Sequence, residues 1–343
     1  GANTSKIGKN AKGNTNISEG NLEIKNKNSK KTSASEIDIN KENKKDNKIL
    51  LDYKKAGDIA KQVKEYAREI IKKNELLSEI AEKIEAKILS LNGEVAFPVN
   101  LCIDDVAAHY TPTLRDDKRA TGLIKVDIGV HVKGYICDIA FSLDLSDNKE
   151  HTRLIEASEK ALHTALEEVK QKKDKTILSE IGKKIHHSIS SLGYSPIINL
   201  SGHGLDSYDI HAGLTIPNYE TNKNDEIGEG AFAIEPFATL SSGTGLVYDG
   251  SGSNIYHIIG EGSVRDQFSR EVYAFIIEHK KTLPFSIREL ERKFGSKVLF
   301  ALSNLKRAGI IEEFSQLIEK NHKPVSQAET SLIIHDNQVE ILC

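Results

Sequence analysis

No run of 18 or more apolar residues occurs in this 343-residue chain, so no part of it reads as a membrane-spanning helix, and its opening residues lack the apolar stretch of a secretory signal. Only three cysteines are present, Cys102, Cys137 and Cys343. They are too few and too far apart for a disulfide framework or a thiolate zinc site. A reducing cytoplasm is the compartment expected. Methionine is absent altogether, and nothing else in the residues gives that absence a meaning. Aromatic and clustered β-branched residues are scarcest in residues 1–48, where Asn, Lys, Ser and Thr dominate. Such a segment cannot bury enough apolar surface to offset the entropy of ordering, so a disordered tail is expected there. The tail carries 11 Lys against 6 acidic residues, a charge of +5, which leaves −8 on the remainder of a chain whose net charge is −3. A cationic arm could touch RNA, that of a ribosome included, through sequence-independent phosphate contacts. A solvating tail with no partner fits the same residues.

From Leu50 to about Leu91 apolar residues such as Ile59, Val63, Ile70, Ile80, Ile84 and Ile88 return every three or four positions, the period of an amphipathic helix. "NGE" breaks it. "VAFPVNLCIDDVAAHYTP" reads as strand and loop, and residues 149–170 and 176–192 as two more helices, the latter stopped by Gly193. A second β-rich block runs from about Ile197 to Ile259, with "GEGAFAIEPFATL" as its clearest strand. Residues 265–320 then read as three amphipathic helices, the third being "KVLFALSNLKRAGIIEEF", before the strands of residues 321–343. The expected domains are therefore a main unit over 49–264, an inserted helical subdomain over 265–320, and C-terminal strands that complete the unit. Three helices and a strand-like tail also suggest a winged helix. No basic face marks the block as a DNA binder.

The stretch "LIKVDIGVHVKGYICDIAFSLDL", residues 123–145, alternates like a half-buried strand pair and yet contains Asp127 and Asp138. A turn centred on Val132–Lys133 would set the two directly opposite one another on one face, and a slip of one residue would send them to opposite faces. Like charges that close require a shared proton or a cation between them. A pair of divalent metals would meet the need, since dinuclear sites are built on bridging carboxylates. One Asp capping a turn with the other in solvent would meet it as well. Further ligand types stand at His203 in "NLSGHGLD", at Glu235 inside the apolar run "AFAIEPFATL" and at Glu329 in "VSQAETSLII". A glutamate between Ile234 and Pro236 needs a partner if it is buried. Carboxylates with one imidazole suit Mn, Co, Fe or Zn.

Taken in order, "AFPVNLCIDDVAAHYTP", "KVDIGVHVKGYICDIA", "NLSGH", "DIHAGLTIPN", "FAIEPFAT", "KTLPF" and "VSQAE" make the chain from about Leu51 onward resemble the type II methionine aminopeptidases, the archaeal ones in particular. The resemblance implies an α+β pita-bread fold of two pseudo-symmetric halves with an inserted winged-helix-like subdomain, and a centre of two divalent metal ions per chain. It implies removal of the initiator methionine from nascent polypeptides when the next residue is small. Matched motif by motif, Asp127 would lie on one ion, Asp138 and Glu329 would bridge, and His203 and Glu235 would serve the other ion. His109 and His211 would attend the scissile amide and the tetrahedral intermediate. Phe97, Ile210 and Phe237 would line the pocket for the methionine side chain, with Tyr248 near it. The implied reaction is attack of an activated water on the first carbonyl, with Glu235 carrying its proton to the leaving amine. A monomer is expected.

The chain departs from the family around the last ligand, where Gln-Phe-Glu-His-Thr is usual and Gln327-Ala328-Glu329-Thr330-Ser331 stands here. The ligand is kept while its neighbours change, a kind of change that can cost 10- to 100-fold in metal affinity or activity. Other readings are a prolidase or aminopeptidase P, which share the five ligands but carry a large N-terminal domain, and a pita-bread module that binds RNA or protein without catalysis.

Overall fold

Helix α1 (Ala34–Ile70) begins well inside the segment expected to be a tail. The computed structural model describes residues 34–343, with side chains from residue 44, so the tail expected over residues 1–33 lies outside the described residues. Residues 34–48 are helical although polar, because Lys, Glu and Asp are tolerated in helices and extending a formed helix costs far less than nucleating one. The chain divides into Gly1–Lys45 and Asp46–Cys343; all sheets, cores and sites described below belong to the second unit. There α1 buries Tyr53, Ala56, Ala60, Val63 and Ala67 at three- and four-residue spacing. The helical pattern expected to run unbroken to Leu91 stops at residues 71–76, where Asn74 takes a φ of 71°, and α2 (Leu77–Ser90) follows.

Strand β1 (Glu94–Ile103) carries Pro98, which has no N–H to give a ladder, and its register against its antiparallel partner, residues Leu123–Val132, slips between Phe97 and Asn100. After β2 (Val106–Ala108) come β3 (Leu123–Val132) and β4 (Tyr135–Asp144), and the order β1-β3-β4 makes a three-stranded sheet packed on α1 and α2. Helices α3 (Thr152–Lys172) and α4 (Leu178–Ser190) open the second half. Its short strands are β5 (Tyr194–Pro196), β6 (Ser201–Leu205), β7 (Thr215–Pro217), β8 (Gly230–Ile234) and β9 (Phe237–Leu240). The run expected as one strand is thus two strands in different sheets, broken at Glu235-Pro236.

The long β10 (Val247–Ile258) leads into α5 (Gln267–Lys280), β11 (Phe285–Ser286), α6 (Ile287–Phe294) and α7 (Val298–Arg307), which share a core of Val272, Ile276, Phe285, Leu290, Leu302 and Leu305. The third helix is shorter than its sequence suggested. Gly309, at φ 70°, ends it, and residues expected to continue it form β12 (Ile311–Glu319), paired with β10 on one side and β2 on the other. The chain closes with β13 (Val325–Gln327), β14 (Thr330–His335) and β15 (Gln338–Ile341). Strand β14 lies between β15 and β8 in a five-stranded sheet, β15-β14-β8-β6-β7, that covers α3 and α4. Glu329, just before β14, exchanges backbone hydrogen bonds with Ala140 of β4, at 3.0 and 3.3 Å. That bridge ties the last strands to the hairpin of the first half.

Candidate metal centre

The β3–β4 hairpin turns at Lys133–Gly134, one residue later than the centre considered from sequence. Asp127 therefore faces Ala140, and Asp138 faces Gly129. A shift of two in pairing preserves side-chain parity, so both carboxylates still leave the same face, diagonally rather than directly across. Glu235 reaches them from the β8–β9 break, His203 from the middle of β6, and Glu329 from the bridge to Ala140.

These five residues form two overlapping groups. Asp138, His203 and Glu329 bring one ligand atom each within 4.8 Å of one another, as do Asp127, Glu235 and Glu329. Glu329 is common to both groups, and His203 Nε2 lies 3.6 Å from Asp138 Oδ2, 3.6 Å from Glu235 Oε1 and 3.9 Å from Glu329 Oε1. Asp138, His203 and Glu329 are buried and Asp127 and Glu235 partly buried, and among the described residues Asp127 Oδ1, Asp138 Oδ1 and Glu329 Oε1 have no hydrogen-bond partner. Orphaned buried carboxylate oxygens are rare and costly. Burial pushes the Asp127 carboxyl up to about 6, against the pull of a donated hydrogen bond from Gln327. It also raises Asp138, Glu235 and Glu329 well above the carboxylate range, with neighbouring carboxylates adding to the push. Burial lowers His203 to about 3, leaving a neutral ring with a lone pair to give. Four crowded carboxylates with unsatisfied oxygens beside a neutral imidazole fit divalent cations.

Asp127, Asp138, His203 and Glu235 of the cluster line a cavity of about 390 Å³. Phe97, His109, Ile210, His211 and Phe237, all named from sequence, line it. Tyr248 does not; it is 38% exposed and stands edge-on to His322. His211 packs edge-to-face on His203 with ring centroids 4.6 Å apart. His109 adopts a left-handed φ of 62°, a conformation held by Asn100, whose Oδ1 accepts the His109 backbone N–H at 3.0 Å. Such a backbone is strained for a residue other than glycine. Burial, with His211 beside it, lowers His109 to about 4, so its ring is neutral at neutral pH.

Sequence reasoning missed Phe314 and Leu317, which line the cavity from β12, and Pro284 from the loop before β11. The usable signal was Gly309, which ends α7 and leaves room for a strand. It also missed Arg288, fully buried on α6, which donates to Thr111 Oγ1 at 2.9 Å and Pro112 O at 2.5 Å, pairs with Glu85 of α2 and so steadies the segment after His109.

The sequence profile described as metallopeptidase family M24 matches residues 52–267. The chain belongs to metallopeptidase family M24. Within it, the sequence lies with the archaeal-type methionine aminopeptidases: it is 40% identical over 290 residues to a methionine aminopeptidase of Methanocaldococcus jannaschii, an overlap that spans 83% of this chain and 95% of that one. Among solved structures, this M24 chain resembles a thermophilic Arx1 with a TM-score of 0.72 at 17% identity, over 86% of this chain and 90% of that one. It also resembles the methionine aminopeptidase of Rickettsia prowazekii, with a TM-score of 0.59 at 17% identity over 86% and 97% of the two chains. The fold is the pita-bread fold, and membership of M24 implies use of divalent metal. Among the described residues, no helix is long and apolar enough to cross a membrane.

Proposed function

We propose that this chain is a dinuclear-metal aminopeptidase that removes the initiator methionine from nascent proteins in the cytoplasm when the following residue is small. The observation that carries the proposal is the five-residue cluster of Asp127, Asp138, His203, Glu235 and Glu329, four of which line a pocket that is otherwise largely apolar, in a chain 40% identical to a methionine aminopeptidase. Two ions would be held, with Asp127 serving one, His203 and Glu235, 3.6 Å apart, serving the other, and Asp138 and Glu329 serving both. Mn, Co, Fe and Zn all suit this donor set. When bound, divalent ions supply Lewis acidity that polarises a carbonyl and lowers the pKa of water.

The protein's own groups do the rest. Phe97, Ile210 and Phe237 receive the methionine side chain, and His109 and His211, which line the same cavity, donate hydrogen bonds to oxygen as charge develops on it. Donors of this kind are worth about 2.7 to 4 kcal/mol to an acyl-transfer reaction. Glu235 stands where the cluster meets the pocket and is raised by burial and by Asp127, which suits it to take a proton from water and hand it to the leaving amine. An apolar pocket separates side chains one methylene apart by only about 1 to 3 kcal/mol, so depth and shape must contribute to the choice of methionine. All five proposed ligands come from one chain, so the reaction needs no second copy.

The test is hydrolysis of Met-Ala-Ser, Leu-Ala-Ser and Ala-Pro peptides by metal-free protein refilled with Mn²⁺ or Co²⁺. Release of methionine alone supports the proposal. Preferred cleavage of Ala-Pro would move the activity to the proline-specific relatives, and folded protein inert with every metal would refute an enzymatic role.

A further inference from the structure

One residue that hydrogen-bonds to the cluster is neither an acid nor a histidine. Gln327, on β13 and 1% exposed, points its amide nitrogen at three of the four carboxylates: Nε2 lies 3.2 Å from Asp127 Oδ2, 3.2 Å from Glu235 Oε2 and 3.4 Å from Glu329 Oε2. An amide NH₂ has two protons to give, and these three oxygens surround it. The side chain also has little freedom to leave. Its backbone is clipped to β4 by Ser142, whose Oγ accepts the Gln327 N–H at 2.9 Å and donates to the Gln327 carbonyl at 2.8 Å. The paired strand β9 fixes the other side, with Gln327 opposite Phe237 of the pocket wall.

Each contact uses one oxygen of a carboxylate. On Asp127 the amide takes Oδ2 and leaves Oδ1 without a partner; on Glu329 it takes Oε2 and leaves Oε1 without one. The free oxygens are the ones the cluster can offer to an ion. A single donor thus selects, on the two groups that would belong to different ions and on the shared one, which oxygen is tied back and which is presented. The nearest alternative donors do not duplicate this. Ser331 exchanges hydrogen bonds with the Asp138 backbone and not with its carboxylate.

We infer that Gln327 is the positioning residue of the metal centre, a neutral donor whose amide orients Asp127, Glu235 and Glu329 together so that both ion sites are formed at once. The inference rests on the metal reading above and extends it to a residue that binds no ion itself. Outer groups that orient ligands commonly carry 10- to 100-fold of metal affinity. Two substitutions separate donation from packing. Gln327→Ala removes the amide and leaves space, whereas Gln327→Met fills the space with no donor and no charge.

The experiment is calorimetric titration of metal-free wild-type, Q327A and Q327M proteins with Mn²⁺, together with the visible absorption spectrum of each at saturating Co²⁺ and a circular dichroism check of fold. The expected result is a 10- to 100-fold weaker Mn²⁺ affinity for both variants and a Co²⁺ spectrum altered in the same way in both. A Q327M protein that binds Mn²⁺ as tightly as wild type, with an unchanged Co²⁺ spectrum, would make Gln327 a packing residue and overturn the inference, even if Q327A were unfolded. Wild-type protein that takes up no Mn²⁺ or Co²⁺ would instead remove the metal reading itself, an outcome that the wild-type titration reveals before any variant is compared.

Discussion

Stripping the protein of metal should make it less stable as the pH rises from 4 toward 7, the reverse of the usual acid denaturation. The reason is the buried cluster. Asp127 is pushed to about 6 in the folded chain by burial, from an ordinary 3.8. Between those two values the folded chain keeps a proton that the unfolded chain has released. More protons are then bound in the native state, and stability falls as pH climbs through the window. A shift of about two units at about 1.4 kcal/mol each gives a loss on the order of 3 kcal/mol from Asp127 alone. Asp138, Glu235 and Glu329 are raised in the same direction and enlarge it. Divalent cations favour the charged carboxylates and cancel the penalty. The assay is the melting temperature of metal-free and Mn²⁺-loaded protein at a series of pH values, read as the difference between the two. Titrations elsewhere in the chain drop out of that difference. The gap should open between pH 4 and 7, with Asp127 alone accounting for roughly 4 to 5 °C in a chain of this size. The reasoning fails if the gap is constant with pH or closes as pH rises.

Three further outcomes follow from particular contacts. Asp138→Ala should reduce methionine release to background while the far-ultraviolet circular dichroism is retained; full activity in that variant would place the centre elsewhere. Gly129→Ala puts a Cβ 2.3 Å from Phe97 Cε1 and should push that ring out of the pocket wall, raising KM for methionine peptides more than it lowers kcat and costing about 1 to 3 kcal/mol of stability; steady-state kinetics with an unchanged KM would contradict the pocket. Arg288→Met should cost about 3 to 5 kcal/mol in urea unfolding, because Glu85 is left buried without its partner, and adding Glu85→Gln should recover part of the loss.

The parts of the site that the sequence showed are the parts with a strong local period or an out-of-place residue. Alternation in residues 123–145 made Asp127 and Asp138 stand out as charges in a strand, and Glu235 stood out because Ile234 and Pro236 flank it. The register was harder, since Lys133–Gly134 is a weak turn signal and Lys133 must take a left-handed φ of 53°. Strand β12 was hidden behind a helix whose pattern runs smoothly into "GIIEEF", and its identity depends on pairing with β10 and β2, partners distant in the chain. The donor role of Gln327 was not legible, because a neutral amide in a strand looks like any polar residue until the carboxylates around it are placed. The Arg288–Glu85 pair joins residues 203 apart in sequence, a separation at which no periodicity speaks.

The bridge between Ala140 and Glu329 has a consequence for how the protein is made. Asp127 and Asp138 leave the ribosome about 200 and 190 residues before Glu329, and strand β14, which lies inside the second sheet, follows them both. Until it arrives, β8 has an open edge where β14 will pair, and the hairpin acids lack both their shared ligand and the amide of Gln327. Under the proposed roles, the centre cannot assemble piecemeal during translation, and the growing chain carries an acidic hairpin with no activity to misdirect.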